Sequence, residues 1–300
     1  MPIKRALLNA PVLKQIAGVG NCLKRIRELV SILDPNFKYL LMIQQAQYCA
    51  SLMETPRYRD PKRLFQSELQ VFSQHSEDGI IREIFNRIGR TDRYFAEVGV
   101  GDGLENNTVY LLNQGWSGLW VDGGQEELRY ARREFAGMIK GGRLKIVEAF
   151  VSGLNIAAIL NDAGVPREFD LLSLDIDRNT FFLWKALGHL KPRVIVIEYN
   201  PAFPATDEWC VEDNPQATWD CKSVYYGASL KAYEKLGTEY GYRLVGCDLT
   251  GTNAFFVRED LVADKFCEPF TSENHYEPAR YFLHRYQSFQ HARRFSDAVH

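Results

Sequence analysis

The stretch Phe95-Ala-Glu-Val-Gly-Val-Gly-Asp-Gly103 decides the fold, because a short apolar strand runs here into three closely spaced glycines. Glycines at alternate positions let the backbone turn sharply at the carboxyl end of a strand and approach a ligand closely. A dinucleotide-binding fingerprint would read G-x-G-x-x-G, but Leu104 stands where its last glycine would be. The loop therefore predicts a Rossmann-like strand, turn and helix, and it disfavours NAD as the ligand.

An acidic residue ends the next predicted strand, Trp120-Val-Asp122. A carboxylate at this place can accept hydrogen bonds from both hydroxyls of a ribose. Without such a ligand, the glycine loop would be only a tight connection between strand and helix. The two features together favour a cofactor that contains a ribose.

Short apolar runs alternate with helical or loop segments after residue 76, which is typical of a parallel sheet with helices on both faces. The last two runs are close in the chain and could form an antiparallel pair. The predicted strands are Tyr94–Val98, Gly118–Val121, Leu144–Ala149, Leu171–Asp175, Val194–Glu198, Arg243–Cys247 and Ala254–Val257. The pattern predicts an α/β domain with a mostly parallel, seven-stranded sheet.

Three segments are expected along the chain: a helical N-terminal extension at residues 1–63, the α/β domain at 64–271 and a polar tail at 272–300. Residues 1–30 are basic, and their apolar side chains recur at helical spacing. Such a helix can lie on an anionic membrane surface, but we favour packing on its own domain or on a second copy in a homo-oligomer.

The overall charge argues against a nucleic-acid partner, because a net charge of -2 and a pI near 6.3 provide no field that gathers phosphates. A small molecule is the expected partner.

The chain has no apolar run long enough to span a membrane and no secretory signal pattern, so we expect a cytoplasmic protein. Its six cysteines lack metal-ligand spacing and are expected to be reduced thiols, with a Cys210–Cys221 pair as the alternative in an oxidising compartment.

Polar triplets end the fourth and fifth predicted strands, namely Asp175-Ile-Asp177 and Glu198-Tyr-Asn200. Alternation along an extended chain puts both polar residues of each triplet on one face, and both strand ends should point at one crevice. Because unpaired buried carboxylates are costly, a ligand, a metal or a basic partner is expected nearby. Oxygen ligands suit Mg²⁺, Ca²⁺ or Mn²⁺ rather than zinc, and a hydrogen-bonded site without metal is the alternative.

A family resemblance covers about residues 72–200. The sequence resembles the FkbM-type methyltransferases in the glycine loop and in four further motifs, Ser73-Gln-His-Ser-Glu-Asp-Gly79, Asn107-Thr108, Gly115-Trp116 and Leu171-Leu-Ser-Leu-Asp-Ile-Asp177. The resemblance implies a Rossmann-like class I methyltransferase fold, in which an antiparallel pair ends the sheet. It also implies S-adenosylmethionine as methyl donor and an oxygen acceptor on a sugar, a polyketide-like molecule or a related metabolite.

The resemblance also implies roles for individual residues. The predicted cofactor-binding residues are Gln74, Glu97, Gly99, Gly101, Gly103, Asn107, Thr108 and Asp122. The predicted catalytic residues are Asp175 and Asp177, which would face the transferring methyl group. Independently of the resemblance, His275 in Glu273-Asn-His-Tyr276 is a further predicted catalytic residue, as a base in the acceptor pocket. The predicted ligands of Mg²⁺ or Mn²⁺, by similarity of position to catechol O-methyltransferase, are Asp175, Glu198 and Asn200. Two departures bear on the acceptor and the metal: Arg178 replaces the glycine frequent in relatives, and Asp122-Gly-Gly124 stands where many have Glu-Pro.

The segment Pro201–Ser223 follows the fifth strand and contains three prolines and two tryptophans. Long loops at this place usually line or cover a substrate site, so we predict a lid over the acceptor. Two other functions stay open at this point. One is a nucleotide-sugar glycosyltransferase that uses Asp175 and Asp177 as a D-x-D metal site, and the other is a non-catalytic scaffold that keeps the fold.

Overall fold

The computed structural model describes residue 37 and residues 39–283 of the chain. The basic segment 1–30, predicted to pack on its own domain or on a second copy, and the residues beyond 283 lie outside this part. The chain divides into two units, Met1–Glu54 and Thr55–His300, and the first contributes a helix over residues 39–53. The division therefore precedes the predicted boundary near Leu64, because the Arg57 and Arg63 guanidiniums both donate to the Asn274 carbonyl, at 2.8 and 3.0 Å.

A single seven-stranded sheet forms the centre of the second unit. Its strand order is β3-β2-β1-β4-β5-β7-β6, and all neighbours are parallel except β7, which runs antiparallel to β5 and β6. The strands are β1 (Tyr94–Val98), β2 (Ser117–Asp122), β3 (Leu144–Glu148), β4 (Leu171–Leu174), β5 (Val194–Glu198), β6 (Tyr242–Cys247) and β7 (Asn253–Arg258). This is the class I methyltransferase fold, and both the predicted strands and the antiparallel pair are confirmed.

The first unit contributes helix α1 (39–53). In the second unit, helices connect the strands and pack on the sheet. They are α2 (Pro56–Arg59), α3 (Glu77–Ile88), α4 (Val109–Asn113), α5 (Gln125–Glu134), α6 (Ala136–Lys140), α7 (Ile156–Ala163), α8 (Thr180–Ala186), α9 (Leu230–Glu239), α10 (Glu259–Val262) and α11 (Ser272–His275). Single 3₁₀ turns occur at Phe65–Ser67, Asp177–Asn179 and Tyr281–Leu283. No helix among the described residues is long and apolar enough to cross a membrane.

The core lies on both faces of the sheet, as the apolar strands predict. Alternate residues of β5 show this arrangement: Val194 and Val196 belong to one buried cluster, and Ile195 and Ile197 belong to the other. Trp184 anchors the second of these clusters, with its ring centroid 4.9 Å from that of Phe256. Buried clusters thus cover both faces of the sheet, and the carboxyl ends of its strands remain accessible for a site.

The Ser73–Gly79 motif joins the chain before α3 to the first turn of that helix. The Asp78 carboxylate accepts the backbone N–H groups of Val71, Phe72 and Ser73 at 2.8, 2.6 and 3.0 Å. Gly79 is required by close packing, because an added Cβ would lie 1.9 Å from the carbonyl oxygen of Ser67. The motif is therefore a structural clamp that places the preceding residues at the edge of the crevice.

Residues 272–283 belong to the packed domain, although the sequence suggests that a separate tail begins there. The buried Glu277 carboxylate accepts hydrogen bonds from Arg57, Tyr58 and Arg280. The Tyr199 hydroxyl, at the end of β5, donates to the Glu277 carbonyl at 2.5 Å. This network fixes the end of the described chain beside the carboxyl edge of the sheet.

Replacement of Asp78 by alanine should lower the free energy of unfolding by about 1–3 kcal/mol, because three backbone N–H groups lose their buried acceptor. Urea unfolding followed by circular dichroism measures this change. Asp162→Ala, at an exposed site on α7, is the matched control and should change it by less than about 0.5 kcal/mol. Equal stability of both variants would contradict the clamp.

Candidate active site

The glycine loop turns sharply at the end of β1. Gly99 and Gly101 have φ values of 85° and 53°, in the left-handed region that favours glycine. An added Cβ at Gly99 would lie 1.5 Å from the Asp175 carbonyl oxygen, whereas one at Gly101 would meet no atom within 4 Å. Gly99 thus lets the ends of β1 and β4 touch, and Gly101 leaves open space above the loop.

A cavity of about 630 Å³ lies above this loop, and we call it the carboxylate cavity. It is lined by Gln74, Glu77, Glu97, Gly99, Val100, Gly101, Asp102, Glu105, Asn106, Asn107, Asp175 and Asn253. The structure thus brings together five predicted cofactor-binding residues: Gln74, Glu97, Gly99, Gly101 and Asn107. It adds residues that sequence reasoning missed, above all Glu77 from α3 and Asn253 from β7.

Glu97 is held by the protein in one orientation. One carboxylate oxygen accepts from the backbone N–H of Asn107 at 3.0 Å and from the Ser173 hydroxyl at 3.2 Å. The other accepts from the Asn106 amide at 3.3 Å and from the Thr108 hydroxyl. Burial raises the pKa of Glu97 to about 7, so its ionisation at neutral pH responds to a bound cation.

Two predicted cofactor-binding residues lie behind the loop. The Thr108 side chain is fully buried, and its hydroxyl accepts from the Trp120 indole at 2.8 Å while it donates to Glu97. An added Cβ at Gly103 would lie 2.7 Å from the Trp120 ring. Both residues therefore shape the loop through packing. The structure places them behind the loop and not in the lining of the carboxylate cavity, in contrast to the predicted direct contact with the cofactor.

Asp122 ties the end of β2 to the glycine loop. One carboxylate oxygen accepts the backbone N–H groups of Val100 and Gly101 at 2.7 and 2.8 Å, and the other accepts that of Gly124 at 2.7 Å. A second cavity of about 400 Å³ begins here, and we call it the Asp122 cavity. It is lined by Gly99, Asp122, Gly123, Gly124, Phe150, Val151, Ile176, Asp177, Asn179, Ala217, Thr218 and Trp219. Gly99 lines both cavities.

Three carboxylates cluster where β4 and β5 end. One oxygen from each of Asp175, Asp177 and Glu198 lies within 4.8 Å of the others. Burial and the neighbouring Asp177 raise the pKa of Asp175 to about 6, and burial and Asp175 raise the pKa of Glu198 well above its usual range. The Oε2 atom of Glu198 is buried and has no hydrogen-bond partner among the described residues. A cluster of carboxyl groups like this one either binds a cation or shares protons among its members.

The backbone departs from the predicted extended alternation here, because β4 stops at Leu174 and Asp177 has a φ of 59°. Asp177 nevertheless joins Asp175 through this turn. Asn200, a predicted metal ligand, is used elsewhere: its amide nitrogen donates to the carbonyls of Val224 and Tyr226 at 2.7 and 2.9 Å. Its oxygen accepts the backbone N–H of Ala202 at 3.1 Å, so Asn200 anchors the loop after β5.

His275 is not placed to act as a base. Its side chain is buried, and Nε2 donates to the Cys267 carbonyl at 3.1 Å. Burial lowers its pKa to about 3, so the ring stays neutral and has little affinity for a proton. The role predicted for His275 is therefore wrong, since the ring supports the turn before α11.

Two tyrosines lie near the carboxylate cluster, and no pattern in the sequence predicts their pairing. The hydroxyls of Tyr226 and Tyr281 lie 3.2 Å apart. Burial and this neighbour raise the pKa of Tyr226, and the nearby carboxylates of Glu198 and Asp175 raise it further. Neutral phenols thus lie near the carboxylate cluster.

The described cysteines are free thiols, as expected, and Cys210 and Cys221 are not bonded.

No protein-family model matches the sequence, and the comparison with curated proteins gives no match. Among solved structures, the chain is similar to a candidate caffeoyl-CoA O-methyltransferase from Staphylococcus aureus, at 14% identity and a TM-score of 0.42, over 74% of this chain and 99% of that one. It is also similar to a candidate O-methyltransferase from Klebsiella pneumoniae, at 12% identity and a TM-score of 0.42, over 59% of this chain and 77% of that one. A third similar structure is the N-terminal domain of EvdMO1, determined with SAH and D-fucose, at 18% identity and a TM-score of 0.39, over 60% of this chain and 80% of that one. The fold class itself rests on the strand order described above.

Stability should fall as pH rises, and Glu77 should cause part of this fall. Burial and Asp248 raise the pKa of Glu77 from 4.5 to about 8, so the folded state holds a proton that the unfolded chain has lost. Stability is therefore full below the unfolded pKa and is lost as pH rises through the folded one.

Urea unfolding at several values between about pH 5 and pH 8.5 measures this loss. Glu77→Gln should give a shallower decline, whereas Glu239→Gln, at an exposed site on α9, should keep the wild-type slope. An unchanged slope in Glu77→Gln would show that Glu77 is ionised in the folded protein throughout this range.

Proposed function

We propose that this protein is an S-adenosylmethionine-dependent O-methyltransferase. The observation that carries the proposal is the pair of cavities that share Gly99, with Asp122 in one and Glu97 and Asp175 in the other. A donor with a nucleoside at one end and a cationic amino acid at the other fits this division. The Ser73–Gly79 motif and the glycine loop further support a place near the FkbM-type enzymes.

The donor's charge determines its direction in the site. Its ammonium and sulfonium groups are positive, and the carboxylate cavity offers the carboxyl groups of Glu97 and Asp175. Because opposite charges attract most strongly where water is excluded, the amino-acid end belongs there. The ribose then reaches Asp122, whose carboxylate oxygens can accept further hydrogen bonds from the ribose hydroxyls. The adenine lies in the Asp122 cavity.

Methyl transfer joins the acceptor oxygen to the methyl carbon, breaks the bond between that carbon and sulfur, and releases the hydroxyl proton. Alignment of oxygen, carbon and sulfur can supply roughly 7–11 kcal/mol. A carboxylate that accepts the proton adds about 10²–10⁴-fold. In the metal-free site Asp175 suits this task, because its pKa of about 6 leaves it ionised at neutral pH yet able to take up a proton.

A divalent cation fits the carboxylate cluster. Asp175, Asp177 and Glu198 offer oxygen ligands within 4.8 Å of one another, and the buried Oε2 of Glu198 has no protein partner among the described residues. Mg²⁺ or Mn²⁺ prefers such ligands and, when bound, would lower the pKa of an acceptor hydroxyl. We include a sugar hydroxyl or a related small metabolite as acceptor, since Tyr226 and Tyr281 provide hydroxyls for polar recognition.

Gly101→Ala should weaken binding of S-adenosylhomocysteine at least about tenfold, equivalent to about 1.4 kcal/mol, because the new methyl group projects into the carboxylate cavity. Isothermal titration calorimetry measures the affinity. Gly115→Ala is the matched control: its φ of 83° is also positive and its Cβ would also meet no atom within 4 Å, but it does not line either cavity.

Wild-type protein that binds NAD or a uridine diphosphate sugar, and not S-adenosylhomocysteine, would overturn the proposed function in favour of a dehydrogenase or a glycosyltransferase. Binding without turnover on any sugar acceptor would instead favour a scaffold.

Mn²⁺ should bind to the wild-type protein, and Glu198→Gln should weaken this binding at least about tenfold by the loss of one anionic ligand. Electron paramagnetic resonance of free Mn²⁺ in a titration gives both affinities. Glu239→Gln, which removes the same charge from an exposed position, should bind like the wild type. Absence of Mn²⁺ binding to wild type would leave the carboxylates as a proton-sharing cluster.

A further inference from the structure

The loop after β5, which the sequence predicts to be a lid over the acceptor, folds back over the end of β4. The Asn179 amide, buried just after Asp177, donates to the carbonyls of Asn214 and Ala217 at 3.0 and 3.1 Å. The backbone N–H of Gly227 donates to the Arg178 carbonyl at 3.1 Å. Asn179 therefore pins the middle of the loop to the strand end that carries the carboxylates.

The pinned part of the loop forms one wall of the Asp122 cavity through Ala217, Thr218 and Trp219. The Trp219 indole N–H donates to the Ser223 carbonyl at 2.7 Å, and the ring lies 4.9 Å from that of Tyr226. Its hydrogen-bonding group is thus engaged within the loop, so the indole can offer a ligand only its apolar surface. Phe150, 54% exposed, adds a second ring to the same cavity.

The cavity has a chemical character that fits a purine. Two aromatic side chains line it together with small residues, and Asp122 is positioned at its edge to meet a ribose. Flat heteroaromatic rings stack favourably on aromatic side chains and need no particular hydrogen bond to do so. Among the described residues, no arginine or lysine lines this cavity, so no side-chain cation is there to bind a phosphate group.

We propose that Trp219 packs against the adenine of the donor and that Asn179 is the positioning residue that holds it there. This inference rests on the proposed function and deepens it, because it assigns the loop after β5 to the donor site. Asn179 holds the wall that the loop forms, so its loss should speed release of the donor.

The test measures S-adenosylhomocysteine and adenosine binding to the full chain by calorimetry. Trp219→Leu should weaken both about tenfold or more, because stacking of a base on an aromatic ring is lost, and Trp219→Phe should restore most of the affinity. Trp209→Leu is the matched control, since Trp209 lies in the same loop, stacks on Phe203 at 4.1 Å between ring centroids and does not line the cavity.

Tryptophan fluorescence in stopped flow tests the role of Asn179. Binding of S-adenosylhomocysteine should quench the emission of Trp219, and the Trp219→Phe variant should lose this signal. Asn179→Ala should raise the dissociation rate of S-adenosylhomocysteine about tenfold, while Mn²⁺ affinity, which reports an intact carboxylate cluster, stays unchanged.

Equal affinity of wild type and Trp219→Leu for S-adenosylhomocysteine would overturn this inference and leave the proposed function in place. Failure of the wild type to bind S-adenosylhomocysteine would overturn both. Equal losses in Trp219→Leu and Trp209→Leu would show that the loop matters only for general stability, and this result too would overturn the assignment.

Discussion

The contact between Gly99 and the end of β4 is the constraint on which the site depends. A Cβ at Gly99 would lie 1.5 Å from the Asp175 carbonyl oxygen, so only glycine lets the glycine loop rest on this strand end. Asp122 holds the same loop from the other side by accepting the N–H groups of Val100 and Gly101. With the loop fixed between two strand ends, the two cavities open on either side of it.

A set of carboxyl groups that are costly to ionise is the second feature of the crevice. Glu77, Glu97, Asp175 and Glu198 all have raised pKa values, chiefly because they are buried. Folding alone does not require such a set, because buried carboxylates without cations destabilise a protein. A cationic donor and a divalent ion would both stabilise the ionised form of these groups, so binding energy would be gained where stability has been lost.

The sequence predicts the sheet well, because apolar runs and their bounding glycines are local signals. It also identifies Gly99, Gly101, Glu97 and Asp122, since each lies at a strand end where α/β folds bind ligands. Predictions were less successful for Asn200 and His275, whose partners are backbone carbonyls set by the path of loops. The Asn179 contacts with residues 35 and 38 positions away depend on that same path, and no periodicity reveals them.

A crystal structure of the protein with S-adenosylhomocysteine tests the central claim most directly. We expect the adenine in the Asp122 cavity beside Trp219, the ribose hydroxyls on Asp122 and the amino-acid end in the carboxylate cavity near Glu97. Density for the ligand at another surface, or in the reverse direction with adenine beside Glu97, would contradict the proposed donor site.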